Sequence, residues 1–155
     1  MKADPKLIKA VIAALQPVVT LHEVSKVYRR LAKRWKYKKL RCWFNKSADK
    51  SGDWRWCLEG MLAKWGATVT LAFGQAEIDS KAPWEVFLAD QMARSEAIRD
   101  LLKAAYDLAE DTENNTAASK LCDAQEDCEC VIATLEAFAR QIQDQGIQNW
   151  LAEMK

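Results

Sequence analysis

The chain has 155 residues, half of them apolar, which is enough for one compact domain with a sizeable buried core. Lys plus Arg number 23 and Asp plus Glu 22, and this formal charge of +1 excludes a global pull towards nucleic acid or anionic lipid. Lys6 and Lys9 interrupt the opening apolar residues, so neither a leader nor a membrane span is expected, and the sequence reads as soluble and cytoplasmic.

Asp4 followed by Pro5 is an N-cap and first-turn pair, and Leu7, Ile8, Val11, Ile12, Leu15, Val18 and Val19 then keep helical spacing. This predicts a first helix from about Pro5 to Trp35, with a kink or break near residues 13–17 where Pro17 removes a backbone hydrogen bond. Residues 26–41 hold nine Lys or Arg and no acid, interleaved with Tyr28, Trp35 and Tyr37. The stripe reads as the solvated face of a helix in preference to a phosphate-binding surface. A second helical pattern starts near Lys38 and resumes from Trp54 to Trp65. Between them, residues 45–53 (NKSADKSGD) are either a loop or a segment held helical against its propensity.

Gly66 ends that pattern, and residues 67–82 form a long connection. Pro83 opens a third helix whose expected apolar side is Trp84, Val86, Phe87, Ala97, Leu101, Ala104 and Leu108, ending near residues 111–115. The fourth helix is the most regular: Ala117, Leu121, Ala124, Cys128, Val131, Leu135, Phe138 and Ile142 alternate four- and three-residue steps, a packing seam. Gly146 breaks it, and Ile147, Trp150 and Leu151 give a short terminal helix one apolar face. Two helical pairs joined by one long crossover predict an all-α fold, a ferritin-like four-helix bundle with a short fifth C-terminal helix, in a single domain spanning residues 1–155.

Five cysteines in a chain without an export signal point to reduced thiols, and Cys128 and Cys130, two apart on a helix, cannot share one metal ion. Seven tryptophans exceed the needs of such a bundle, so some of Trp43, Trp54, Trp56 and Trp84 are expected at subunit interfaces, and Trp150 on the terminal helix argues the same way.

The opening MKADPK, Trp35, the closing GIQNWL at residues 146–151 and the helix order together resemble bacterioferritin, the haem-containing branch of the ferritins. The resemblance covers almost the whole chain. It implies a hollow cage of many subunits associated with iron storage, and a di-iron centre made by one glutamate from each of two helices and a Glu-x-x-His from each of the other two. Here those positions fall on Val18, on Lys50 and Asp53, on Arg94, and on Cys128 and Val131. The family's haem-ligating methionine falls on Ser51 or Gly52. The resemblance thus implies an inactive ferroxidase centre, with no metal and no cofactor expected. The chain would be a non-catalytic subunit that self-associates as a dimer or larger cage, or joins an active ferritin subunit, without membrane or nucleic-acid partners.

Two features of the vacated centre stand out in the residues themselves. Asp90 and Arg94, four apart, can pair inside the bundle facing Lys50 and Asp53, or reach solvent at its edge. His22, the single histidine, lies near the implied haem pocket, and two copies across a dimer axis would supply bis-histidine ligation to haem. The alternative function is therefore a haem-carrying or protein-interaction dimer using His22 and exposed aromatics. A thiol enzyme built on Cys128 is the remaining and least favoured option, because cysteine more often serves as a small buried apolar residue.

Overall fold

A computed structural model of the chain describes residues 3–74, 76–79 and 81–155. It is all-helical: α1 (Pro5–Arg34), α2 (Lys38–Lys64), α3 (Pro83–Asp111), α4 (Asn115–Gln145) and α5 (Ile147–Glu153), with no strand among the described residues. α1 starts where Asp4 Oδ1 accepts the Lys6 amide at 2.8 Å, with Pro5 at the first helical position. Pro17 does not break it. α1 is the one described helix long and apolar enough to cross a bilayer, but its face of Leu7, Val11, Leu15, Val18 and Leu21 is buried inside the bundle.

Tight reversals close the helix ends. At Gly66 (φ 67°) the Ala67 amide donates to Leu62 O at 2.9 Å and the Gly66 amide to Ala63 O at 3.1 Å, a left-handed closure that glycine adopts without steric cost. Lys36 and Glu113 make equivalent turns with positive φ despite having side chains. α2 has no side-chain cap, and α5 returns to supply one partner: the Lys39 amide donates to Met154 O at 2.9 Å.

The four long helices form a bundle in which α1 packs on α2 and α3, and α3 on α4, while α2 and α4 touch least among neighbours. α2 and α4 run antiparallel, with the rings of Trp43 and Phe138 in contact and the Trp54 Nε1–H directed at Asp127 Oδ2. The connection from α2 to α3 runs along α1: Gln16 exchanges hydrogen bonds with the Ala72 backbone at 2.8 and 3.0 Å, and Glu23 accepts from the Gly74 amide. Two apolar clusters fill the interior. One gathers Leu7–Leu21 of α1 with Trp54, Leu58, Ile98, Leu102 and the α4 seam; the other is aromatic, with Tyr28, Phe44, Trp84, Phe87 and Trp150.

Residues 45–53 are helical, so α2 is continuous. Its polar residues are satisfied inside: Ser51 Oγ donates to Ser47 O at 2.8 Å, and Ser47 Oγ lies 3.2 Å from Ser25 Oγ. The contacts from α1, Ser25 on Ser47 and His22 Nδ1 on Ala48 O, accompany a helix that local propensity does not favour. The core face of α3 also differs from the sequence expectation. Phe87, Gln91, Ser95, Ile98, Leu102, Ala105 and Ala109 are buried, while Ala97 and Ala104 are exposed, Val86 is exposed, and Leu101 and Leu108 are half-buried. Two polar residues carry the seam through mid-helix, and hydropathy alone passes over them. α5 is covered within the chain: Trp150 is fully buried, stacks on Phe87 at 5.7 Å and donates from Nε1 to Gln141 Oε1 at 2.9 Å. Its apolar face therefore does not by itself call for a partner subunit.

Candidate functional site: a polar layer at mid-bundle

Between the two apolar clusters lie the buried polar residues of the described core: Ser25 on α1, Ser47 and Ser51 on α2, Gln91 and Ser95 on α3. His22 joins this layer from α1. Its Nδ1 stands 2.8 Å from Ala48 O and 3.4 Å from Ser51 Oγ. A carbonyl oxygen only accepts, so Nδ1 carries the proton, which leaves Nε2 as the lone-pair nitrogen of a neutral ring. Burial is the main cause that lowers the His22 pKa below 6.5; Lys26, Arg55 and Arg29 add to it, and the Ala48 hydrogen bond opposes it.

On the α3 side the layer is under-satisfied. Both amide atoms of Gln91, the Ser95 hydroxyl, Asp90 Oδ2 and the Tyr28 hydroxyl are buried without a protein hydrogen-bond partner. A buried polar atom left without any partner, water included, costs about 1–3 kcal/mol. The Tyr28 phenol faces Asp90 and is held well above its ordinary pKa, first by burial and then by that carboxylate.

The implied di-iron positions do not converge on a ligand set. Val18 is fully buried among apolar residues. Arg94 is committed to Asp90, Nε to Oδ1 at 2.9 Å, and both side chains are about a quarter exposed, 27% and 25%. The pair forms at the bundle's edge. Lys50 and Asp53 do not join it: Lys50 is half-buried in a cavity on the α2–α4 seam shared with Val131, and the exposed Asp53 borders a second, acidic cavity on the same seam with Asp123, Glu126 and Asp127. Cys128 is fully buried, donates Sγ–H to Ser95 O at 3.2 Å, and has its pKa pushed up to about 12, chiefly by burial. Burial and a raised pKa are the surroundings of a packed thiol and not those that activate a cysteine. The acidic residues bordering the second cavity, like the other described His, Cys, Asp and Glu side chains, form no group of three placed to hold one metal ion. At the positions that the resemblance implies, Val18 and Val131 carry no ligating atom, Lys50 and Arg94 bring cations, and a serine or glycine at 51 or 52 has no thioether for haem.

Sequence reasoning did not anticipate Gln91, Ser95 or Tyr28 in this layer. The detectable signal was the seven-residue repeat of α3, which places Gln91 and Ser95 between Phe87 and Ile98 on one face. The tryptophans divide: Trp54, Trp84 and Trp150 are core, Trp43 and Trp65 partly covered, Trp35 exposed, and Trp56 79% exposed. No family model matches the chain, and no curated protein matches it.

Proposed function

We propose that the chain is a bacterioferritin-like bundle subunit that contributes to an assembled shell for iron storage or sequestration without oxidising iron itself, alone or beside an active ferritin subunit in the cytoplasm. The observation that carries this reading is the chemistry at mid-bundle. At the positions where the resemblance would put the carboxylates and imidazoles of paired irons, the chain has Val18 and Val131, Lys50 with the exposed Asp53, the buried Cys128 thiol, and Arg94 engaged by Asp90. The helix order, the connection laid along α1 and the short fifth helix support the family reading. The exposed Trp35 and Trp56 offer aromatic anchors for association. Size-exclusion chromatography with light scattering tests the assembly: an oligomer supports the reading, and a strict monomer at all concentrations, also in the presence of an active ferritin, contradicts it.

A second reading, a haem-carrying dimer, rests on one contact. The Ala48 carbonyl fixes the His22 ring with its Nε2 lone pair uncommitted, the arrangement that orients imidazole ligands generally. Haem titration decides it, through a Soret band that is present in the parent chain and absent in His22→Ala.

A further inference from the structure

The α2–α4 seam is the least packed in the bundle, and a cavity of about 240 Å³ opens on it, lined by Trp43, Lys46, Ser47, Lys50, Val131 and Thr134. We propose that this cavity binds a phosphate group, held between the ammonium groups of Lys46 and Lys50 with the hydroxyls of Ser47 and Thr134 completing its hydrogen bonds. Lys46 and Lys50 are four apart on one face of α2, a spacing at which like charges repel unless an anion lies between them. Neither forms an ion pair among the described residues. Among the described residues no carboxylate lines the cavity. The α4 acid one turn away, Asp127, borders the neighbouring cavity, where it accepts from Trp54 Nε1 at 3.4 Å.

The hydroxyls are placed to help. Ser25 and Ser47 Oγ are 3.2 Å apart, so with Ser25 as donor the Ser47 proton is free to turn to the cavity. Thr134 Oγ1 donates to Cys130 O at 3.2 Å, a long bond that a hydroxyl rotation exchanges for an anionic acceptor. The cavity has room for an oxyanion and several waters at about 30 Å³ each. Residues 26–50 carry eleven Lys or Arg against one acid, Asp49, and this field raises the local anion concentration. Two adjacent cations with several donors match a tetrahedral dianion better than a single carboxylate.

Amide NMR of the full chain, titrated at constant ionic strength with inorganic phosphate, with adenosine monophosphate and with chloride, tests this. Saturable shifts centred on Ser47, Lys50 and Thr134 with inorganic phosphate assign the free ion, and the same shifts with the nucleotide alone assign a phosphate ester. The double variant Lys46→Gln/Lys50→Gln should weaken binding at least about tenfold, while Lys33→Gln/Lys36→Gln, in the same basic stretch but outside the cavity, should stay within about twofold. Thr134→Val, which leaves both charges in place, should also weaken it, and it carries the test if the double variant does not fold. The proposal is overturned if neither phosphate source shifts these amides, if the shifts centre elsewhere, or if both double variants lose binding equally, which would reveal only a diffuse field.

Discussion

The imidazole of His22 occupies the space that a side chain at residue 52 would need: its Cε1 lies 3.2 Å from where a Cβ on Gly52 would stand. The ring cannot easily retreat, because Nδ1 is tied to Ala48 O at 2.8 Å. A glycine in mid-helix ordinarily costs about 1 kcal/mol relative to alanine, but an alanine at residue 52 would have to displace the histidine ring slightly. Gly60, in the same helix, has nothing within 4 Å of its own notional Cβ.

These two glycines should respond differently to alanine. Gly60→Ala should stabilise the fold by up to about 1 kcal/mol. Gly52→Ala should recover little of that in the parent chain and most of it in a His22→Ala background, a coupling of at least about 0.5 kcal/mol in urea denaturation. Additive effects would mean that the ring moves freely.

The pH dependence follows from the same residue. Because the folded-state pKa of His22 is lowered below 6.5, the folded state disfavours the protonated ring. The stability it contributes is complete above 6.5 and is lost as pH falls through that value towards the folded pKa. As the only histidine, it gives one imidazole Hε1 resonance, whose titration midpoint should lie below 6.5. His22→Gln should flatten this part of the stability profile between pH 7.5 and 5. A midpoint at or above 6.5 contradicts the assignment.

How much of this was legible in the sequence depends on where the polar residues lie. The α4 seam, apolar from Ala117 to Leu135, was read directly because nothing polar interrupts it. Hydropathy does not reveal the α3 face because Gln91 and Ser95 occupy core positions, and it does not decide α2 because Ser47 meets its partner Ser25 only across the bundle. The packing of His22 on Gly52 joins residues thirty apart and leaves no local pattern.

Gln91 tests whether the layer is held at a cost. Its amide is fully buried with neither polar atom partnered by protein, so Gln91→Met, similar in length, should stabilise the fold by about 1–3 kcal/mol. A loss of stability in chemical denaturation would show that the amide does have a partner in solution.

The five thiols should separate by exposure. Cys42 and Cys130 are exposed, Cys57 and Cys122 are half-covered, and Cys128 is buried with its pKa pushed up to about 12. In a disulfide-reagent time course followed by mass spectrometry, the two exposed thiols should react first and Cys128 only on unfolding. Rapid native labelling of Cys128 would revive its candidacy as a reactive group.

The central proposal is that this chain does not oxidise iron at a paired site. Stopped-flow absorbance after mixing the anaerobic, ferrous-loaded chain with oxygen tests it most directly. The account predicts only the slow oxidation seen without protein, and a fast phase saturating at a pair of irons per chain would contradict it.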